Sequence, residues 1–158
     1  MFNILVLCTG NSARSILAEA VLNHDGAGRV VAYSAGSNPT GRVNPAALSL
    51  LDRRKLGTHG YRSKSWDEFA ASGAPEMDLV ITVCGSAANE VCPSWPGVPL
   101  RAHWGIDDPA AAPSDQIDMA FQVAFHLLSA RIHAFLALPF ETMDRNRLQA
   151  HLNRIAEM

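Results

Sequence analysis

Residues 7–15 read LCTGNSARS, and this stretch decides the fold. Before it, Phe2-Asn3-Ile4-Leu5-Val6-Leu7 is short, apolar and partly β-branched, the pattern of a buried strand. After it, Ile16, Leu17, Ala20 and Val21 recur at helical spacing from Ser15 to His24, and Gly26 and Gly28 stop the run. Cys8 to Arg14 therefore form a strand-to-helix turn. Backbone N–H groups converge in such a turn, and the helix N-terminus adds partial positive charge, so the loop is an anion cradle. Thr9, Gly10, Asn11, Ser12 and Ala13 are small enough to let the backbone close on a small ligand, and Gly10 is expected to supply the left-handed conformation such loops need. Arg14 can fork two hydrogen bonds to a tetrahedral oxyanion. The same field is expected to lower the pKa of Cys8 from the ordinary thiol value of about 8.5, with Ser15 Oγ donating to the thiolate. The loop thus binds an oxyanion and activates a sulfur nucleophile beneath it.

The remaining chain alternates strands and helices. Val30–Ser34 reads as a second strand ended by Gly36. Asn44-Pro45 opens a helix to about Lys55, with Asn as cap and Pro at the first position. Ser65 and Glu68 have capping-box spacing and predict a short helix to Ala71. Asp78 to Cys84 is a third strand, and Leu100–His103 a short fourth within a loop rich in Pro and Gly. Ser114 is expected to cap a long helix with Phe121, Phe125, Leu128, Ile132 and Phe135 on one face, broken by Pro139. A last helix, from about Thr142 to Ala156, carries Leu148, Leu152 and Ile155. Such alternation predicts an α/β layer fold with a parallel sheet.

The chain has 158 residues, 48% of them hydrophobic, enough for one domain with an ordinary core. A formal charge of −2 gives no reason to expect nucleic acid or an anionic membrane as partner. The apolar start lacks a basic flank and is too short for a secretion signal, and no stretch approaches the ~18 apolar residues of a membrane span. A cytoplasmic location is expected. In a reducing compartment, Cys8, Cys84 and Cys92 are reactive or metal-binding rather than structural disulfides. A zinc site through Cys84, Cys92 and His103 lacks a fourth ligand and the usual short spacings, so no metal is expected. Cys84, like Cys8, ends a predicted parallel strand, and such ends share one sheet edge, where ligand crevices form.

The loop resembles the signature loop of the low-molecular-weight protein tyrosine phosphatase family, which includes phosphatases and a class of arsenate reductases. More of the chain is similar to the reductases: Cys8-Thr-Gly-Asn-Ser, Tyr33-Ser34-Ala35-Gly36, Val83-Cys84 with Cys92-Pro93, and His103-Trp104-Gly105-Ile106-Asp107-Asp108-Pro109. The resemblance implies a four-stranded parallel sheet with helices on both faces. It places a phosphatase-like arsenate reductase domain at residues 1–138, with residues 139–158 as a C-terminal helical extension of the same domain. It implies an arsenical-resistance enzyme that converts arsenate to arsenite, with phosphate or sulfate as mimics of the substrate. Cys8 would attack arsenate, Cys84 would then form a disulfide with Cys8 as arsenite leaves, and Cys92 would pass that disulfide to an exposed loop. No bound cofactor is implied; an external thiol, either thioredoxin or glutathione with glutaredoxin, would regenerate the enzyme. Asp108, the aspartate before Pro109, would be the general acid and Asp107 structural.

Several features depart from those relatives. Ala13 stands where the best-known reductases have a further cysteine, and the spacing from Cys84 to Cys92 is longer by one residue. Some relatives hold potassium near the cradle through residues like Asn11, Glu19 and Ser34 plus an aspartate; here the aligned residue is Lys64, whose ammonium can take the cation's place or lie on the surface. Phosphatases of this type carry aromatics after the Asp-Pro pair, where this chain has Ala110-Ala111-Ala112. A phosphotyrosine or small-phosphoester phosphatase is the alternative enzyme, and an oxyanion-binding redox sensor the alternative without turnover.

Overall fold

The computed structural model describes residues 1–85, 87 and 95–158. Four strands form one sheet: β1 (Phe2–Leu7), β2 (Val30–Ala35), β3 (Leu79–Thr82) and β4 (Leu100–His103). Their order is β2-β1-β3-β4 and every pairing is parallel. The register sets Leu7 beside Ala35 and Thr82, and Thr82 beside His103. All four strands therefore end together, and the residues that follow them gather on one edge.

Side chains alternate across a strand, so the sheet buries two faces. Ile4, Val6, Ala32, Leu79, Ile81 and Ala102 face α1 (Arg14–Asp25), α2 (Pro45–Arg53), α4 (Ile117–Leu136) and α5 (Arg145–Ile155). Leu5, Leu7, Ala35 and Val80 face the other way, onto Trp66, Met77, Trp95 and the Phe69 of α3 (Asp67–Ala70). These five α-helices among the described residues give the layered parallel fold that the strand–helix alternation predicts. Helix α4 is by length and composition apolar enough to cross a membrane, but here its Phe121, Phe125, Leu128, Ile132 and Phe135 are buried in the domain core. Leu148, Leu152 and Ile155 of α5 join that same core.

The differences from expectation lie at helix starts. Asn44 caps α2 as predicted, accepting from Ala46 N. Ser114 does not cap α4, which begins at Ile117 after Gln116 with no side-chain cap. The last helix starts at Arg145 rather than about Thr142, because Asp144 supplies the cap and accepts from the N–H groups of Asn146 and Arg147. At α3, Ser65 Oγ accepts from Asp67 N, but Glu68 does not close a capping box: Arg62 takes its carboxylate in a two-bonded pair at 2.6 and 3.0 Å.

Candidate active site

The loop from Cys8 to Arg14 joins β1 to α1 at the carboxyl edge of the sheet. It lines a cavity of about 250 Å³ together with Thr40, Asp108 and Ala110. Thr9, Gly10, Asn11, Ser12, Ala13 and Arg14, the predicted oxyanion-binding residues, all face it. Among the described residues the cavity lining carries no aromatic ring, which suits a small tetrahedral anion.

The left-handed residue of the loop is Asn11 (φ 45°), not Gly10. Asparagine tolerates this conformation when its side chain is tied locally. Asn11 Oδ1 accepts from Lys64 N at 3.0 Å, and Asn11 Nδ2 donates to Ser15 Oγ at 2.8 Å. Ser15 is fully buried, and accepting from Asn11 leaves its own proton to donate. Ser63 Oγ donates to Gly10 O at 3.0 Å. The cradle is thus held from outside by the segment entering α3.

Gly36 is where that segment, β2 and the loop meet. Its N–H donates to Lys64 O, and its carbonyl accepts from Trp66 N. A Cβ here would lie 2.5 Å from the Cys8 carbonyl oxygen and closer still to that of Thr9. Backbone cannot yield as a side chain does. Gly36→Ala is expected to lower stability by about 1–3 kcal/mol, several degrees in the melting temperature, and to weaken phosphate binding by shifting the cradle. Thermal melting and phosphate titration measure both; unchanged values would show that the loop adapts.

Cys84 follows β3 and comes to the cradle as expected from the shared edge. Thr9 N donates to Cys84 Sγ at 3.3 Å, and Thr9 Oγ1 lies 3.6 Å from the same sulfur. Cys8 and Cys84 are both buried free thiols, hydrogen-bonded to each other. The hydrogen bond between them couples their titrations. The bond to Cys84 and burial push the Cys8 thiol up, and Arg14 and the Gly10 N–H only partly offset this. Cys84 is held down to about 5, first by the hydrogen bond from Cys8 and then, against its own burial, by the N–H groups of Thr9 and Ala87. The pair shares one proton, and Arg14 and the N–H groups of Gly10, Thr9 and Ala87 favour one negative charge on it. Cys92 lies outside the described residues.

Arg14 Nη1 donates to Ile106 O at 2.9 Å, and Nη2 stands 3.9 Å from Asp108 Oδ2. Asp108 Oδ1 accepts from Ala110 N and caps a short 3₁₀ turn, Pro109–Ala111, which sequence reading missed. The second carboxylate oxygen is left over the cavity. Asp107 instead lines a neighbouring groove of about 390 Å³, with Ala112, Ala120 and Val123 among its walls. His103 shares a 2.7 Å hydrogen bond with Thr82 Oγ1. No metal-holding cluster is found among the described residues.

Behind the cradle, Lys64 Nζ stands 4.0 Å from Glu19 Oε1, with side chains only 9% and 11% exposed. Nζ also donates to Arg62 O at 3.2 Å. Burial raises the Glu19 carboxyl and lowers the Lys64 ammonium, and each partner opposes the other's shift. These residues do not fit a potassium ion, because an ammonium already faces the carboxylate. Lys64→Ala leaves that carboxylate unpaired, which costs about 3–5 kcal/mol when it stays charged. Its raised pKa then rises further, so the folded chain binds a proton where the unfolded chain has lost it, and stability falls as pH rises through that window. The expected result is a larger melting-temperature loss at pH 8 than at pH 5, with weaker sulfate binding that added potassium restores. Equal losses at both pH values and unchanged affinity would reduce Lys64 to packing.

A model of the low molecular weight phosphotyrosine protein phosphatase family matches residues 3–149. The chain is 36% identical over 134 residues to an arsenate reductase of Shouchella clausii, covering 84% of this chain and 93% of that protein. An arsenate reductase of Bacillus cereus is 41% identical over 107 residues, 68% of this chain and 76% of that one. Among solved structures, an arsenate reductase in the phosphate binding state superimposes with a TM-score of 0.72 over 87% of this chain and 98% of that one, at 24% identity, which speaks to the fold.

Proposed function

Because the chain belongs to the low molecular weight phosphotyrosine protein phosphatase family, we propose that its cradle serves arsenate reduction with two thiols rather than phosphoester hydrolysis with one. The observation that carries this reading is Cys84 Sγ, set against Cys8 and under the Thr9 N–H, inside the wall of the oxyanion site. Phosphoester hydrolysis through one thiolate does not require a second sulfur there. The curated relatives named above are arsenate reductases, and a thioredoxin-dependent reductase of Corynebacterium glutamicum shares the fold with a TM-score of 0.62 over 84% of this chain and 59% of that one, at 24% identity.

Arsenate enters the cradle with its charge on the loop N–H groups and Arg14. Cys8 Sγ attacks arsenic while its proton passes to the Cys84 thiolate beside it, and a sulfur–arsenic bond forms. Asp108 gives a proton to the departing oxygen, which leaves as water. Cys84 gives its proton to an oxygen of the bound arsenic group and attacks Cys8 Sγ. The sulfur–sulfur bond forms, the sulfur–arsenic bond breaks, and its electron pair stays on arsenic, which becomes arsenite. Two thiols have lost two electrons and arsenic has gained them. Cys92 then attacks Cys84 to free Cys8, and an external thiol reduces the outer disulfide. Thioredoxin is the reductant this reading favours, with glutathione and glutaredoxin the alternative, in the reducing cytosol where free thiols persist.

The test is arsenate-dependent oxidation of thioredoxin, measured beside p-nitrophenyl phosphate hydrolysis. Robust reduction with slow hydrolysis supports the reading. Rapid hydrolysis without arsenite makes the protein a phosphatase.

A further inference from the structure

Arg131 lies on α4, outside the cavity, and is only 7% exposed. Its guanidinium makes two hydrogen bonds: Nη1 to the Gly105 carbonyl at 3.2 Å and Nη2 to the main-chain oxygen of Met158 at 3.1 Å. Its Nε is buried with no hydrogen-bond partner. A guanidinium taken out of water with its Nε unmet is costly, and an apolar side chain would fill the same space without that cost.

What the contact holds is one peptide. The Gly105–Ile106 peptide has its carbonyl on Arg131 and its N–H on Val83 O at 3.1 Å, the residue before Cys84. One step on, the Ile106 carbonyl accepts from Arg14, and two residues later Asp108 stands over the cradle. Trp104, just before, is tied to Leu152 O of α5 through its indole N–H at 3.3 Å. Helices α4 and α5 thus grip the chain between β4 and the acid.

We propose that Arg131 is a positioning residue of the oxyanion site, orienting the Gly105–Ile106 peptide so that Ile106 aims Arg14 and Asp108 meets the bound anion. In its Asp108 part the proposal rests on the reductase reading above; its Arg14 part does not. The experiment is a double-mutant cycle in single-turnover arsenite release, with Arg131→Met made in wild-type and Asp108→Asn backgrounds, together with calorimetric titration of inorganic phosphate. Displacing a catalytic group by an ångström costs up to ~10²-fold. Arg131→Met is expected to slow release by roughly 10-fold in the wild type and less than about 2-fold when Asp108 is already gone, because coupled residues are not additive. Phosphate affinity is expected to fall several-fold. An equal slowing in both backgrounds would overturn the Asp108 part, since a purely structural loss ignores which residue is at position 108, and unchanged phosphate affinity would overturn the Arg14 part. If Arg131→Met does not fold, Arg131→Lys, which keeps the charge and one donor, is put through the same cycle with the same two outcomes. A wild type that releases no arsenite would sink the reductase reading alone; phosphate affinity would still decide the positioning of Arg14.

Discussion

Cys8→Ser is expected to abolish arsenate reduction, by roughly 10⁴-fold or more, while phosphate still binds. The cradle consists of backbone N–H groups and the Arg14 guanidinium, which serine does not disturb. A serine hydroxyl, however, lacks the sulfur that must bond arsenic and then accept attack from Cys84. The same site makes a second, spectroscopic prediction. Cys84 is held near 5 chiefly by the hydrogen bond from Cys8. Removing that donor with Cys8→Ala should move the Cys84 titration upward, read as ultraviolet thiolate absorbance against pH. Serine keeps a donor and should shift it less. Arsenite production by Cys8→Ser at near wild-type rate would remove Cys8 from the chemistry.

Asp108→Asn should slow the reaction by about 10²–10⁴-fold with little loss of phosphate affinity. The asparagine oxygen can still accept from Ala110 N, so the Pro109–Ala111 turn should survive. What is lost is the proton at the position 3.9 Å from Arg14. Asp107→Asn should be mild, because Asp107 faces the adjoining groove rather than the cradle. Rates and phosphate titrations on the two variants decide between them. Severe loss from Asp107→Asn with a mild Asp108→Asn would transfer the acid to the other aspartate.

The strand–loop–helix at residues 2–25 is legible because its signals are local: an apolar run, small residues, a helical period. The meeting of Cys8 and Cys84 is legible for a topological reason, since both follow parallel strands that end on one edge. What sequence reading misses depends on contacts between distant segments. Asn11 rather than Gly10 takes the left-handed conformation because Lys64 N and Ser15 hold its amide, a tie across 53 residues. Gly36 reads as the end of a strand, yet it is needed because two carbonyls of the loop leave no room for a Cβ. Glu68 looks like the second half of a capping box until Arg62 takes it. The last helix begins at Arg145, later than its apolar spacing suggests, because Asp144 caps it. The coupling of Cys84 to Cys8 follows from the hydrogen bond between them, which spacing alone does not contain.

The most direct test of the two-thiol reading is one turnover without the outer cysteine. Cys92→Ser, reduced and freed of thiol, is mixed with excess arsenate; released arsenite is counted, and mass spectrometry locates the disulfide. Cys8 and Cys84 together hold the two electrons required, so about one arsenite per enzyme is predicted, with Cys8 and Cys84 joined. Cys84→Ser should release little and form no such bond. Full turnover by Cys84→Ser, or a Cys92→Ser enzyme that yields no arsenite while hydrolysing p-nitrophenyl phosphate, would contradict the account.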